Sequence, residues 1–344
     1  PWFKVRARDQ FIAMPGCSLA IGQPQLFESL AQTAMAASRS FMDGLPNSVI
    51  SELDAPDALL WLVWALQQYN EQIPRGDLYD EMAQFVVQAV HFIANQQHPH
   101  VYMQQDGLLY VDGTHVPMTW MNATENGLPI TPRTGYVVEI NALWYNALCF
   151  AQQLTNDVAV RTELEKLATD VAQSFTATFW NGLYLYDYVN GQYRDVEVRP
   201  NMILAVSLPF SPLSRQQQKS VLDVCTRELL TTKGLRSLSP KSGSYRPNYV
   251  GGMLERNRNY HNGPVWPWFT GAYAQAYLKL HKQGGVSFVE RLLIGMEAEM
   301  KKLCVGTLSE LHDGNPPFKG HGAMSYAPSV GEILRTIQLL NNMQ

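Results

Sequence analysis

Two kinds of helical pattern alternate along this chain, and their alternation constrains the fold more than any other feature. Residues 77–95, 158–179 and 286–303 place apolar side chains at i, i+4, i+7 and i+8 spacing, the single stripe of an amphipathic helix. Residues 58–66 and 142–151 are apolar on every side, which is typical of helices surrounded by protein. The alternation predicts two concentric layers with about ten or eleven helical segments, close to the number in an α/α toroid.

Length and composition favour one large globular unit. The chain has 344 residues, 46% of them hydrophobic, and neither a Ser/Gly linker nor a run of charges divides it. We therefore expect a single domain over residues 1–344. A net charge of -4 argues against a nucleic-acid partner or an anionic membrane. The sequence contains no run of about 18 apolar residues and no recognisable signal peptide, so we expect neither a membrane span nor secretion.

The metal-binding residue types show no ligand spacing. Cys17, Cys149, Cys225 and Cys304 lie far apart, and the eight histidines form no HExxH motif. We expect free thiols, no metal and no cofactor.

The unusual residues concentrate in long loops rich in Gly, Pro, Asn and Asp. Loops longer than about 15 residues are uncommon unless they are functional. These loops combine aromatic side chains with Arg, Asp, Asn and Glu, a mixture suited to hydroxyl-rich ligands. Within them, residues 108–111 and 184–188 predict short hairpin strands. The predicted loops are 1–16 (with Trp2, Arg8 and Asp9), 42–54, 96–138, 180–201, 231–262 and 305–322.

The chemistry that fits these loops is glycoside hydrolysis, which requires two carboxyl groups on either side of the scissile bond. Glu310 and Asp313 are candidates because they lie in a Gly-rich loop, although a helix cap or a loop salt bridge explains such residues equally simply. Glu139 begins a helix, where it either stabilises the helix N-terminus or faces a central cavity. His261 and His312 are possible ligands or acid/base groups.

Five segments, in this order, resemble the glucosidase domain of glycogen debranching enzymes. The most specific begins with a Trp-Met pair and continues through a Thr-Pro-Arg turn into a helix. The segments are RARDQFIAMPGCSLAIG (6–22), TWMNATENGLPITPRTGYVVEINALWYNAL (119–148), RPNMILAVSLPF (199–210), YHNGPVWPW (260–268) and LSELHDGNPPFKGHGAMSYAPSVGEILR (308–335).

The resemblance implies an all-α (α/α)6 barrel, a toroid of six helix hairpins, with the site formed by long loops at one end. It implies removal of a single α-1,6-linked glucose stub from glycogen or a branched α-glucan oligosaccharide. The implied mechanism is inverting, with an acid and a base roughly 6.5–9.5 Å apart. It also implies a cytoplasmic protein in which this domain follows an N-terminal part. The chain opens at Pro1 rather than Met, which agrees with that expectation.

The resemblance assigns roles to individual residues. Glu310 matches the general base, and Asn122 lies where the family usually has the acidic Asp. An amide supplies no proton, so Glu125, three residues further on, is an alternative acid. A second departure is Asn257, where Arg-Asp is expected before the Tyr-His motif. The remaining assignments are hydroxyl contacts from Arg8, Asp9, Arg133, Glu139 and His261, and apolar walls from Trp120, Trp144 and Trp266.

Three alternatives remain open on the same residues. The first is an exo-glycosidase of different specificity, trehalase-like or oligosaccharide-trimming, because one fold supports many activities. The second is a glycan-binding relative with little or no hydrolysis, which the two Asn departures favour. The third is a sugar isomerase or epimerase that uses His261 and a second histidine.

Overall fold

The computed structural model describes residues 4–303 and 305–343, so Trp2 and Cys304 lie outside the described residues. Helices dominate these ranges, as predicted. The α-helices are α1 (Ala7–Cys17), α2 (Pro24–Met42), α3 (Ala58–Gln72), α4 (Tyr79–Ala94), α5 (Val138–Leu154), α6 (Val158–Phe179), α7 (Leu204–Ser207), α8 (Arg215–Glu228), α9 (Met253–Tyr260), α10 (Phe269–His281), α11 (Val286–Glu297) and α12 (Ala327–Asn341).

Six helices pack in a closed circuit. Helix α1 contacts α3, α3 contacts α5, α5 contacts α7, α7 contacts α10, α10 contacts α12, and α12 returns to α1. Helices α3 and α5 are buried on nearly every side, as their uniformly apolar sequences predict. The amphipathic helices α2, α4, α6, α8 and α11 each pack against one or two members of this circuit.

The helical periodicity located most elements well. The stripe over residues 158–179 coincides with α6, and the stripe over 77–95 brackets α4. The stripe over 286–303 is too long, because α11 ends at Glu297 and a 3-10 turn follows at Glu299–Lys301.

The prediction of a loop over residues 1–16 is wrong for most of its length, since α1 occupies Ala7–Cys17. Pro15 and Gly16 suggested a break in the chain, but both lie in the last turns of this helix. A Cβ atom added at Gly16 would lie 1.7 Å from the carbonyl oxygen of Gly331 in α12. The glycine therefore permits close packing of two helix backbones and is not a loop residue.

We expect Gly16→Ala to lower the free energy of unfolding by about 1–3 kcal/mol or more, because the two backbones must separate. Helix propensity alone predicts the opposite sign, since Ala favours a helix over Gly by about 1 kcal/mol. Gly243→Ala is the control: a Cβ there meets no atom within 4 Å. Denaturant unfolding of both variants tests this expectation, and a Gly16→Ala variant as stable as the original would contradict it.

Short strands also occur, so an all-α description is too narrow. Two five-stranded antiparallel sheets have the orders β1-β2-β5-β6-β7 and β12-β11-β10-β9-β8, and β3 pairs with β4. The predicted strand at 108–111 is confirmed as β2, whereas 184–188 forms only a bridge at Leu185 before β6 begins. The strands are β1 (Tyr102–Met103), β2 (Leu109–Val111), β3 (Thr124–Glu125), β4 (Leu128–Pro129), β5 (Gly135–Val137), β6 (Tyr188–Asn190), β7 (Tyr193–Arg194), β8 (Leu230–Thr231), β9 (Gly234–Arg236), β10 (Val265–Trp266), β11 (Leu311–His312) and β12 (Gly320–His321).

The second sheet places two segments of the resemblance side by side. Val265 in β10 pairs with His312 in β11, so Trp266 and Glu310 lie at one end of the same sheet. No helix in the described part of the chain is both long enough and apolar enough to cross a membrane.

Candidate active site

A cavity of about 570 Å³ lies where α1, α10 and α12 begin. Helix N-termini carry partial positive charge, which favours anionic groups at this end of the helices. Three carboxylates and several aromatic rings share the lining. The lining residues are Lys4, Arg6, Arg8, Asp9, Ile12, Glu52, Trp120, Asn122, Tyr249, Tyr260, Trp266, Trp268, Glu310, Gly322, Ala323, Ser325, Tyr326, Ala327 and Pro328.

Glu310 is fixed in this cavity by two donors. The Tyr260 hydroxyl donates to Oε1, and the Ala323 backbone N–H donates to Oε2 over 2.8 Å. Burial raises the pKa of Glu310, although both hydrogen bonds favour its charged form. The two hydrogen bonds orient the carboxylate, whose side chain is half-buried. Its pKa is closer to neutrality than that of an exposed glutamate.

Gly322 makes room for this carboxylate. Its φ of +73° suits glycine, and a Cβ there would lie 2.3 Å from Oε2 of Glu310. The segment after β12 thus supplies both a donor, at Ala323, and the space that the carboxylate needs.

Asp9 is a second carboxylate in the cavity and has its own phenolic donor. The Tyr326 hydroxyl donates to Oδ1 of Asp9 over 2.9 Å. Burial raises the pKa of Asp9, and this effect exceeds the opposing effects of Tyr326 and Arg8. Burial also raises the pKa of the Tyr326 phenol well above its usual value, so that it remains a donor at neutral pH.

Arg8 lines the cavity, but most of its hydrogen-bonding capacity is used by Asp57. Its guanidinium makes two hydrogen bonds of 2.6 and 2.7 Å to Asp57, the residue before α3. Glu52, the third carboxylate, pairs with Arg6 at 2.8 Å and is 40% exposed. Both ion pairs fix the chain at the start of α1, next to Asp9.

Three tryptophans form the apolar side of the cavity. Trp120 meets Trp266 edge to face at 5.1 Å between ring centroids, and meets Trp268 in the same way at 5.7 Å. Flat rings in this arrangement leave an apolar surface against which a pyranose ring can stack. The sequence predicted Trp120 and Trp266 at the site, and it missed Trp268.

His261 lies behind this wall. It is 1% exposed and stacks on Trp266, with its centroid 5.4 Å from that ring. Burial, with smaller effects of Arg199 and Arg133, lowers the pKa of His261 well below its usual value, so the imidazole is neutral. The described residues that line the cavity do not include His261, so its predicted hydroxyl contact has no geometric support here.

Arg133 and Glu139 form a buried ion pair away from the cavity lining. Arg133 donates to Oε2 of Glu139 over 2.7 Å and to Oδ2 of Asp187 over 2.7 Å, and all three side chains are buried. Asp187 accepts from Asn201, which in turn accepts from Nε1 of Trp120 over 2.7 Å. Arg133 and Glu139, both predicted to contact sugar hydroxyls, are connected to the site among the described residues through this chain of hydrogen bonds, which orients Trp120.

The structure separates the two candidate acids. Asn122 lies in the cavity with Glu310. Glu125 lies outside it and makes an ion pair with Arg258, with a 2.8 Å hydrogen bond from Nε to Oε2. The hydrogen bond from Arg258 lowers the pKa of Glu125, so that less of this carboxyl group is protonated and able to donate a proton near neutral pH. Asn257 donates from Nδ2 to the carbonyl of Thr124 over 3.1 Å, a bond that an aspartate cannot make.

The remaining sequence candidates lie away from the cavity. Trp144 is fully buried in α5 and donates to the carbonyl of Gly107 over 3.1 Å. Asp313 accepts from the backbone N–H of Tyr249, and His312 is buried in β11. Sequence reasoning missed Tyr326, because a tyrosine just before a helix gives no signal of its own. Among the described residues, no group of three His, Cys, Asp or Glu side chains is placed to hold a metal ion.

The hydrogen bond from Tyr260 to Glu310 leads to a prediction about the pH dependence of activity. With Glu310 as the base, we expect activity to fall as pH drops through its pKa, because a base must be ionised to accept a proton. In Tyr260→Phe the carboxylate loses a donor, its pKa rises further, and the acidic limb of the kcat/KM profile moves to higher pH. Tyr193→Phe, at an exposed position, is the control. An unchanged acidic limb in Tyr260→Phe would contradict the assignment of Glu310.

Comparison with known proteins identifies the family. The family model described as amylo-alpha-1,6-glucosidase matches residues 1–335. The chain is also 26% identical over 224 residues to the glycogen debranching enzyme of Saccharomyces cerevisiae, a match that covers 51% of this chain and 14% of that protein. The chain belongs to the amylo-alpha-1,6-glucosidase family, as its motifs predict, and spans a small part of the curated relative that it matches.

Solved structures show the same fold. An uncharacterized conserved protein from Thermus thermophilus matches with a TM-score of 0.61 at 14% identity, over 95% of this chain and 91% of that chain. The GH63 mannosylglycerate hydrolase from the same organism, in complex with glucose, matches with a TM-score of 0.56 at 14% identity, over 82% of this chain and 74% of that chain. Together with the family match, these likenesses make the chain a relative of glycoside hydrolases with a helix-rich fold.

Proposed function

We propose that this chain is a glycoside hydrolase domain that removes α-1,6-linked glucose stubs from glycogen-type glucans. One observation carries the proposal: Glu310, held by Tyr260 and Ala323, faces a cavity of about 570 Å³ with a tryptophan wall. The family match supports the substrate class. Its description names the α-1,6-glucosidase activity, and the yeast relative is a debranching enzyme.

Glu310 acts as general base in an inverting reaction. Its carboxylate takes a proton from a water, and the oxygen of that water attacks the anomeric carbon as the glycosidic C–O bond breaks. The leaving oxygen takes its bonding electrons and needs a proton of its own. The pKa of Glu310, raised by burial, brings the base closer to the pH at which general-base catalysis is most effective.

The described lining of the cavity holds no efficient donor of the proton that the leaving oxygen needs. Asn122 occupies the acid position and has no proton to give, while Glu125 is outside the cavity and paired with Arg258. Of the other carboxylates in the described lining, Glu52 is paired with Arg6, which leaves Asp9. Burial raises the pKa of Asp9, and its Oδ1 is the atom that accepts from Tyr326. We assign Asp9 to sugar binding and, inefficiently, to proton supply.

The closed helix circuit supports a six-hairpin toroid as one domain over the chain. The circuit from α1 back to α12, with amphipathic helices packed against it, fits such an arrangement. The short match to the debranching relative supports a longer protein in which other parts hold the glucan. The substrate class favours a cytoplasmic location.

A second function, glycan binding with little turnover, is favoured by Asn122. The other departure, Asn257, has a structural explanation in its hydrogen bond to the carbonyl of Thr124. A substrate panel separates the two functions. Glucose release from a maltooligosaccharide carrying one α-1,6-glucosyl stub, with none from trehalose or mannosylglycerate, supports debranching. Affinity for the stub substrate without any glucose release, even over long incubations, would make the chain a binding protein.

A further inference from the structure

A second polar depression lies outside the cavity, and no role has been assigned to it. It measures about 680 Å³ and shares no described lining residue with the cavity. We name it the hairpin groove, because the β3–β4 hairpin forms one side. Its lining residues are Glu125, Asn126, Leu128, Pro129, Ile130, Thr131, Pro132, Tyr188, Asp195, Arg199, Ser244, Arg246, Arg258 and Asn262.

Two short segments connect the groove with the cavity. Asn122 lines the cavity and Glu125 the groove, and three residues of extended chain span at most about 11 Å. On α9, Arg258 lines the groove and Tyr260 the cavity. Side chains two residues apart point to nearly opposite sides of a helix, so the width of α9, about 10 Å, separates the two depressions. The two depressions are therefore close enough to contact different parts of one oligosaccharide.

Arg199 gives the groove an unused hydrogen-bond donor. The residue is 6% exposed, and its terminal nitrogens donate to the carbonyl of His261 over 2.7 Å and to Oδ1 of Asn262 over 3.1 Å. Its Nε has no acceptor among the described residues, and the hydroxyl of Thr131, which also lines the groove, has no hydrogen-bond partner among them. Both atoms are closed to solvent, so a ligand oxygen reaches them only when a neighbouring side chain moves. A buried donor without an acceptor costs about 1–3 kcal/mol, which such a contact would recover.

The two sides of the groove differ in polarity. Leu128, which is 54% exposed, lies beside Pro129, Ile130 and Pro132 on the hairpin. The other lining residues are polar or aromatic: three arginines, two asparagines, Glu125, Thr131, Tyr188, Asp195 and Ser244. Pyranose rings present apolar C–H faces and polar hydroxyl edges, and this combination of surfaces matches both.

The charges of the groove nearly balance, with three arginines and two carboxylates in its lining, and this balance favours a neutral ligand over a phosphate or sulfate. Arg258 is already paired with Glu125. Arg246 forms no ion pair with any described residue, and the Asp195 carboxylate lies in the same groove. Carboxylates at a binding surface repel anions, whereas they accept hydrogen bonds from hydroxyl groups.

We propose that the hairpin groove binds a further segment of α-glucan chain, part of the branched molecule whose stub enters the cavity. This inference rests on the proposed function for its ligand class. The groove would anchor the polymer through Arg199 and Arg246 and through the apolar hairpin face, while the cavity holds one glucose. Its contribution is to the binding of long substrates and not to the chemical step.

The test compares Leu128→Ala/Arg246→Ala with the unmodified chain. Both positions are exposed, so we expect stability to change little. The KM for a branched glucan with α-1,6 stubs should rise about tenfold, while kcat and the KM for α-glucosyl fluoride should stay the same. Leu183→Ala/Arg291→Ala, at exposed positions that do not line the groove, is the matched control and should change neither value.

A second measurement is independent of turnover. Calorimetric titration of maltoheptaose into Glu310→Gln should show affinity that falls about tenfold when the two groove substitutions are added. If the branched-glucan KM and the maltoheptaose affinity are both unaffected, the groove proposal is wrong and the debranching proposal stands. Saturable binding of inorganic sulfate in the groove, without any of maltoheptaose, would also overturn it. If the unmodified chain never hydrolyses α-glucosyl fluoride but the groove substitutions weaken maltoheptaose binding, the proposed function fails and the groove remains a glucan site.

Discussion

Glu310→Gln is expected to reduce hydrolysis of α-glucosyl fluoride and of stub substrates by about 100- to 10,000-fold, the usual effect of removing a general base. The amide retains the shape of the carboxylate and loses its ability to take a proton from water. Because burial raises the pKa of Glu310, a neutral side chain at this position is no harder to bury, and we expect thermal stability to be maintained. Initial rates by glucose detection give the effect directly.

Glu297→Gln is the matched control for this substitution. Its side chain is 71% exposed on α11, outside the cavity. It should show unchanged rates and unchanged stability. A Glu310→Gln variant that hydrolyses both substrates at the original rate would remove Glu310 from the mechanism.

Asn122→Asp is expected to raise the rate on stub substrates by about 100- to 10,000-fold, since it restores a carboxyl group at the acid position. The new side chain lies in the same cavity as Glu310 and replaces an amide of nearly equal size. The rate on α-glucosyl fluoride should change little, because fluoride leaves without a proton. The ratio of the two gains therefore isolates proton donation from binding or folding.

Asp9→Asn provides the comparison. If Asp9 supplies the proton inefficiently in the unmodified chain, Asp9→Asn should hydrolyse stub substrates more slowly than the unmodified chain does. Adding Asn122→Asp to Asp9→Asn should then recover part of that loss. An Asn122→Asp variant with no gain on stubs, or with equal gains on stubs and fluoride, would show that this position is not the acid site.

Much of the fold and part of the site could be predicted from the sequence. Helix α6 matched its apolar stripe to the residue, because a 22-residue amphipathic helix leaves little ambiguity in the 3.6 period. Glu310, Trp120 and Trp266, which the motifs assign to one site, line the same cavity. In contrast, α1 was missed because Pro and Gly are usually found in loops and turns. Here Pro15 and Gly16 lie in a helix, and Gly16 permits that helix to pack closely on α12.

Three of the predicted site residues lie outside the described cavity lining for a common reason. Arg133, Glu139 and Trp144 lie in the most specific motif, yet all three are buried and bonded within the protein. Arg133 and Glu139 bond to each other, Arg133 also bonds to Asp187, and Trp144 donates to the carbonyl of Gly107. A sequence shows that such polar and aromatic residues are unusual, but not whether their partner is a ligand or another part of the chain. That distinction depends on tertiary contacts, which also determined that Glu125 pairs with Arg258.

The measurement that tests the central claim most directly is the hydrolysis of α-glucosyl fluoride by the unmodified chain and by Glu310→Gln, followed by NMR of the anomeric proton. This substrate needs the base and the glucose-binding cavity but no acid, so Asn122 does not limit it. We expect turnover by the unmodified chain that gives β-glucose first, and a loss of at least about 100-fold in Glu310→Gln. No turnover by the folded chain, or turnover that is independent of Glu310, would contradict the account.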